Sequence, residues 1–147
     1  QRLDLPPGAN RFVINATSKS FPGGRYTATL GAPPPPANPA LLDRVIAVMR
    51  QVRHLEVSEI STSGFGPPPP AYQAGFSGPD FLAQEPYGSG GITDVEPLPG
   101  GLSLYVPGDN IWVWLHYDAA GRITSQRLVA VGHDVEDTFS YPAGCPR

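Results

Sequence analysis

The chain has 147 residues, which is enough for one domain with a buried core. Its net charge is −3 and its 10 Lys and Arg residues are scattered singly, so it lacks the basic stripe that a nucleic-acid partner would require. No apolar run reaches roughly 18 residues, so the sequence predicts no transmembrane segment.

The composition predicts a folded body that is rich in loops. Gly (17) and Pro (19) are abundant, while charged residues make up only 16% of the chain. The first residue is Gln1 rather than Met, and Lys19 is the only lysine. These features favour a processed, extracytoplasmic protein of the periplasm or cell surface. The single cysteine, Cys145, has no partner for a disulfide within the chain, so it is either a free thiol or a point of attachment to a lipid or another chain.

Residues 1–36 are expected to form a proline-rich N-terminal region. Residues 10–18 and 25–30 have the composition of strands, and the Phe-Pro-Gly-Gly sequence of residues 21–24 lies between them as a turn. Four prolines at 33–36 predict a stiff polyproline II spacer. An extended arm and hairpin are therefore expected to precede the main domain.

Residues 39–53 carry the one clear helix signal. Asn38 followed by Pro39 is typical of an N-cap and the first helical position. Apolar residues then recur at helical spacing and form one stripe, which must pack against another element. The stripe consists of Leu41, Leu42, Val45, Ile46, Val48, Met49 and Val52.

From residue 54 onward the pattern changes to alternation. Leu55 and Val57 alternate with polar residues, and Ile60 then breaks the phase, which suggests a β-bulge. Short turns connect the later candidate strands, so the sheet should be antiparallel. Those strands are residues 72–76, 81–84, 92–96, 102–106, 111–117, 122–131 and 135–141.

The predicted fold class is therefore mainly β with one amphipathic helix (α+β). It is a twisted antiparallel sheet or half-barrel with the helix packed on one face. Residues 37–142 would form this helix-and-sheet domain, and residues 143–147 a tail.

The turn Asp-Ala-Ala-Gly at residues 118–121 predicts a hairpin. Gly121 is expected in the left-handed conformation, and Asp118 is expected to accept hydrogen bonds from the turn. This register places Trp112 and Trp114 on one face of the sheet and the alternating residues Val113 and Leu115 on the other.

Residues 111–117 are apolar on both faces, and two interpretations follow. The strand is either central and covered on both sides, or it presents a binding surface. Under the second interpretation Trp112, Trp114, Tyr105 and Met49 are the candidate residues of a ligand or partner surface.

No catalytic or metal motif is recognisable. His54, His116 and His133 lie on different predicted elements, so no tightly bound copper or zinc is expected. The chain contains no Gly-x-Ser-x-Gly motif, and its adjacent carboxylates, such as Asp94 and Glu96, suit exposed sheet positions. The sequence therefore predicts a protein that is not an enzyme and needs no cofactor.

The last third of the chain carries a family resemblance. Residues 114–142 contain an aromatic strand, then Asp-x-x-Gly-Arg-Ile, a polar strand, Gly-His and a final strand that ends in Thr-Phe-x-Tyr. The helix and Glu- and Ser-rich strand of residues 41–64, and the Phe-Ser-Gly-Pro-Asp of residues 76–80, are similar to the earlier part of the same domain. Over residues 41–142 the chain thus resembles the extracytoplasmic C-terminal domain of bacterial copper-resistance-type membrane proteins, which are relatives of LolA-like half-barrels.

The resemblance implies a curved sheet with a helix over an apolar concavity. The chain departs from the family in an abbreviated segment between residues 88 and 108, and it carries no membrane helices, so no transport role is implied. The first functional hypothesis is that this non-catalytic envelope domain binds a hydrophobic ligand, a lipid or a peptide, in the concavity. The alternative is an accessory or structural subunit of a membrane-associated or cell-surface assembly, which wraps an envelope partner, such as a membrane protein, with its proline-rich arms.

Overall fold

The computed structural model describes residues 36–63, 67, 69–130 and 132–142, all of which belong to the compact unit Pro35–Arg147. The predicted N-terminal arm and hairpin, the proline spacer as far as residue 35, and the tail with Cys145 lie outside the described residues.

The described part contains two helices and seven strands, and the strands form one antiparallel sheet in the order β2-β1-β7-β6-β5-β4-β3. The predicted fold class, a mainly β domain with an antiparallel sheet and a helix packed on one face, is confirmed. The elements in chain order are α1 (Pro39–Met49), β1 (Leu55–Ser63), β2 (Tyr72–Phe76), α2 (Gly78–Leu82), β3 (Val95–Leu98), β4 (Gly101–Val106), β5 (Ile111–Tyr117), β6 (Ile123–Ala130) and β7 (His133–Ser140).

Helix α1 buries the predicted apolar stripe against the sheet. It begins with Pro39 at its first position, as expected, and ends at Met49 rather than at residue 53. Asn38 occupies the N-cap position, as predicted, but its side chain makes no capping hydrogen bond. Instead, the backbone N–H of Asn38 donates to the carbonyl oxygen of Val95 at 2.7 Å and attaches the start of the helix to β3. The buried helical residues are Leu42, Val45, Ile46 and Met49.

The strand predicted at residues 81–84 is wrong, because this part of the chain belongs to and follows the short helix α2. The hydroxyl oxygen of Ser77 accepts a hydrogen bond from the backbone N–H of Asp80 at 3.2 Å, and the hydroxyl donates to a carboxylate oxygen of Asp80 at 2.6 Å. This reciprocal cap satisfies a backbone donor at the helix start. The Ser-Gly-Pro-Asp sequence carries that signal, and the apolar pair Phe81 and Leu82 hid it by resembling a short strand.

The bulge predicted at Ile60 is absent from β1. This strand pairs with β7 from Glu56 to Ser63 without a register shift. Glu59 therefore lies on the helix-covered face of the sheet, and the Ile60 side chain, 55% exposed, lies on the opposite face. The sheet's shift in register occurs instead in the pairing of β5 with β6, between His116 and Tyr117.

The predicted hairpin between β5 and β6 is confirmed. Gly121 has a φ of +84°, and one carboxylate oxygen of Asp118 accepts hydrogen bonds from the backbone N–H groups of Ala120 (2.9 Å) and Arg122 (3.0 Å). The Arg122 guanidinium donates to the other oxygen of Asp118 at 2.9 Å. This local network fixes the register of two central strands.

The core lies between the two helices and one face of the sheet. Inward-pointing residues of β1, β3, β4 and β5 meet the stripe of α1 and the apolar residues of α2. The buried sheet residues are Leu55, Val57, Val95, Leu102, Leu104, Val106, Val113, Leu115 and Ile123. The opposite face of the sheet carries the side chains that alternate with these.

A charge placed in the α1 stripe should unfold the domain. Val45 is 3% exposed, so Val45→Asp would bury an unpaired carboxylate and lower the free energy of unfolding by more than about 3 kcal/mol. Ala47→Asp places the same group on the exposed side of the same helix and serves as the control. Urea unfolding followed by circular dichroism measures both. A Val45→Asp variant as stable as the wild type would show that α1 is not a core element.

The turn glycine should be similarly sensitive. In Gly121→Ala the new Cβ would adopt the unfavourable left-handed conformation and lie 3.2 Å from a Val48 methyl group. We expect a loss of about 1 to 2 kcal/mol in unfolding free energy. Gly108→Ala is the matched control, because a Cβ there meets no atom within 4 Å. Equal thermal midpoints for the two variants would contradict the assigned turn geometry.

Candidate functional site

Three aromatic side chains form a continuous surface on the sheet face opposite the helices. Tyr105 on β4 is the cross-strand partner of Trp112 on β5, and their ring centroids lie 4.8 Å apart at an interplanar angle of 37°. Trp114 lies two residues further along β5, and its ring stacks on that of Trp112 at 6.4 Å and 24°. All three side chains are half-buried. We call this set, Tyr105, Trp112 and Trp114, the aromatic face.

A polar rim holds the aromatic face in place. The Tyr105 hydroxyl donates a hydrogen bond to the side-chain oxygen of Asn110 at 2.9 Å, which orients the phenol ring. Arg127 is the cross-strand partner of Trp114 and forms a bidentate pair with Asp134, at 2.9 and 2.6 Å. Glu136, on the same face, lies 3.7 Å from the Arg127 guanidinium, so these three side chains together carry one net negative charge beside the rings.

The aromatic face also carries two indole N–H donors. Neither the indole N–H of Trp112 nor that of Trp114 has a hydrogen-bond partner among the described residues. On the neighbouring strands the same row of the sheet continues through Arg127 and Glu136 to the exposed Ile60. Apolar area combined with N–H donors on an ordered sheet is typical of a recognition surface.

The structure brings three of the four predicted surface residues together and separates the fourth. Met49, the last residue of α1, lies on the other side of the sheet and is fully buried. Its sulfur accepts a hydrogen bond from the Tyr141 hydroxyl at 3.4 Å. It is therefore a core residue and does not belong to the aromatic face.

The part of the chain that the structure describes contains no group of three or more His, Cys, Asp or Glu side chains that could hold a metal ion. Among its helices, none is long and apolar enough to cross a membrane.

A second set of polar side chains lies on the helix-covered face, and the sequence analysis missed it. Tyr87 is fully buried, and its hydroxyl donates to the side-chain oxygen of Gln126. The Gln126 amide nitrogen donates to a carboxylate oxygen of Asp137 at 2.7 Å, and the nearby Gln126 side chain also favours the ionised form of the Glu85 carboxyl. We call Glu85, Tyr87, Gln126 and Asp137 the buried polar cluster.

Both acids of the buried polar cluster are perturbed. Burial raises the pKa of Glu85 to about 7, and the neighbouring negative charges of Asp137 and Glu59 act in the same direction, against the hydrogen bond from Gln126. Burial likewise raises the pKa of Asp137 above its ordinary value. Oε2 of Glu85 and Oδ1 of Asp137 are shut off from solvent and have no partner within the described residues. A carboxyl group in such a position favours its neutral form.

A sequence signal for this cluster existed in the alternation of the strands. Asp137 stands between Val135 and Phe139 in the inward phase of β7, and Gln126 precedes Leu128 in the inward phase of β6. Glu59 occupies the same phase of β1. Polar residues in the apolar phase of three neighbouring strands indicate a buried polar network.

Two open grooves flank the sheet. One, of about 370 Å³, crosses β2, β1 and β7 and is lined mainly by polar residues, including Glu56, Gln73 and Ser140. The other, of about 590 Å³, lies between the end of α1 and α2 and is lined by Arg50, Pro79, Leu82, Ala83, Glu85, Gly88 and Ser89.

No protein-family model, curated protein or solved structure matches the chain. The functional assignment therefore rests on the geometry of the two faces.

The aromatic face should contribute little to folding. Trp114 is half-buried, and Trp114→Thr keeps a residue that suits a strand, so we expect a loss of about 1 kcal/mol in unfolding free energy. The adjacent Leu115 is fully buried, and Leu115→Ala should cost about 2 to 5 kcal/mol. Urea denaturation compares the two. A larger loss for Trp114→Thr than for Leu115→Ala would mean that the aromatic face serves packing rather than recognition.

Proposed function

We propose that this chain is a non-catalytic domain of an extracytoplasmic, membrane-associated or cell-surface assembly and that it binds an envelope protein partner through the aromatic face. The observation that supports the proposal is the contiguous arrangement of Tyr105, Trp112 and Trp114 on the sheet face opposite the helices. This is the subunit hypothesis, in which the two tryptophans are buried against another chain.

The composition of the aromatic face matches the residues that dominate binding energy at protein interfaces. Trp, Tyr and Arg are the residue types enriched at interface hot spots, and here Arg127 lies directly beside Trp114. If a partner covers roughly 100 Å² of each aromatic side chain, burial contributes about 2.5 kcal/mol per residue before the entropy of association is subtracted. Three such residues are sufficient to anchor an interface.

The aromatic face is also pre-organised. Its side chains project from strands whose register is fixed by backbone pairing on both sides, and Tyr105 is further held by Asn110. Little side-chain entropy is lost when such residues are covered, which favours tight binding.

The buried polar cluster does not favour a catalytic role. The carboxyl oxygens of Glu85 and Asp137 that lack partners are closed to solvent, so a substrate cannot reach them in this arrangement. The perturbed pKa values instead fit a role inside the fold.

A hydrophobic ligand remains the second candidate, because one groove suits it. The groove of about 590 Å³ between α1 and α2 has the size of a small-molecule site, and Pro79, Leu82 and Ala83 provide apolar lining. It opens beside the helices, on the side of the sheet where the half-barrel hypothesis places a lipid or peptide.

Affinity capture from the envelope fraction of the source organism tests the proposal. The wild-type domain, the double variant Trp112→Thr/Trp114→Thr and the control Tyr72→Thr are immobilised, and mass spectrometry identifies bound proteins and lipids. Tyr72 is 54% exposed but lies on β2, away from the aromatic face. A partner should bind the wild type and the control, be lost by the double variant, and reduce iodide quenching of tryptophan emission.

Two outcomes contradict the proposal. If the double variant retains every protein that the wild type retains, the aromatic face is ordinary surface. If the bound material is a lipid that all three proteins retain equally, the groove beside the helices is the binding site and the second candidate function replaces the first.

A further inference from the structure

The chain between α2 and β3 is attached to the sheet by side chains rather than by backbone pairing. We call residues 83–91 the connecting segment. Among the described residues, its backbone N–H groups donate only to nearby carbonyl groups, for example Gly88 to Glu85 at 3.0 Å and Gly90 to Tyr87 at 2.9 Å. Tyr87 then reaches into the core, and the half-buried Glu85 lines the groove between α1 and α2 with its Oε2 closed to solvent. The position of the segment therefore depends on how well these two side chains are held.

One amide group lies beside both of them. The Gln126 side-chain oxygen accepts from the Tyr87 hydroxyl, its amide nitrogen donates to Asp137, and the same side chain favours the ionised form of the Glu85 carboxyl. Gln126 is 3% exposed and Asp137 is 5% exposed, so water cannot readily replace these contacts. Each carboxyl nevertheless keeps one oxygen without a partner among the described residues. A neutral carboxyl tolerates such an environment far better than a carboxylate.

We infer that the buried polar cluster is a proton-dependent switch: with a proton on Glu85 the connecting segment lies against the sheet, and loss of that proton loosens the segment. The ionised form would place a negative charge near Asp137 and Glu59, and among the causes that act on its pKa only the Gln126 side chain favours that form. Opening the segment returns the Glu85 carboxylate to water and removes this penalty.

Charged and titratable groups face Glu85 and its segment from several packed elements. Glu59 of β1 and Asp137 of β7 disfavour the ionisation of Glu85. Arg50, at the end of α1, lines the same groove but is exposed. The acid of α1 lies near Gly90, and two tyrosines complete the set. These groups are Glu59, Asp137, Arg50, Asp43, Tyr87 and Tyr141.

The glycines of the segment allow a local rather than a global opening. Gly90 and Gly91 have φ values of +78° and +77°, and these two residues form a pivot before β3. Gly88 packs so closely on the end of α2 that a Cβ would lie 1.7 Å from the Leu82 carbonyl oxygen. The connecting segment therefore packs closely against the end of α2 when it is closed. The two glycines at its end, Gly90 and Gly91, have few backbone restrictions.

The direction and range of the pH dependence follow from the pKa of Glu85. Because its pKa rises from 4.5 to about 7 in the closed state, closure is fully stabilised below 4.5 and this stabilisation is lost as pH rises through 7. Between pH 6 and pH 8 the equilibrium constant for opening should increase roughly tenfold.

Amide hydrogen exchange of the full chain tests the switch. Protection of residues 84–90, corrected for the intrinsic exchange rate, should fall roughly tenfold between pH 6 and pH 8 in the wild type and stay constant in Glu85→Gln. Glu136→Gln is the matched control, because Glu136 precedes Asp137 but its side chain lies exposed on the opposite face. It should keep the wild-type dependence.

Constant wild-type protection across this pH range, or the same dependence in Glu85→Gln, would overturn the inference. If Glu85→Gln does not fold, carbon NMR of the Glu85 carboxyl in the wild type decides instead. A titration near pH 7 supports the switch, and one below roughly pH 5.5 refutes it. The result is independent of partner binding, because the aromatic face lies on the other side of the sheet.

Discussion

The rest of the structure depends on the pairing of β1 with β7, because this pair joins the strand after α1 to the last strand of the sheet. Every other neighbouring pair joins strands adjacent in sequence. The β1–β7 pair instead brings together residues such as Thr62 and Asp134, which are 72 positions apart and share a hydrogen bond of 3.3 Å. The entropy lost in closing such a loop grows only slowly with its length, so an unbroken ladder and the apolar burial beneath it can offset that loss. Without this pair, β1 and β2 would have no place in the sheet.

The alternation of side chains along each strand separates the two candidate functions. Arg127 and Glu136 lie on the same side as the aromatic face, whereas their sequence neighbours Gln126 and Asp137 belong to the buried polar cluster. A partner could therefore cover one side of the sheet while a proton binds on the other. Strands β6 and β7 contribute side chains to both faces of the sheet. The backbone pairing between these two strands keeps both sets of side chains in register.

The neighbours Glu59 and Ile60 depart from the simple alternation of apolar and polar residues. An acid faces the core and an isoleucine faces solvent, although the reverse order would be more stable. Local exceptions of this kind are expected where a protein sacrifices stability for function. In this chain the inward acid helps to raise the pKa of Glu85, and the outward isoleucine extends the row that begins at Trp114. A shift of one residue would have removed both features.

Local patterns in the sequence were sufficient to determine the start and the apolar stripe of α1, the limits of β5 and the turn formed by Asp118 and Gly121, since each depends on residues a few positions apart. The same local information placed Trp112 and Trp114 on one face, as the structure has them. It failed at α2, where a short apolar pair suited a strand equally well. Only the tertiary structure decided that Met49 is a core residue, that β1 pairs with β7 without a bulge, and that Glu85 lies beside Asp137. These facts depend on the register between distant strands and on burial, which a periodic pattern does not encode.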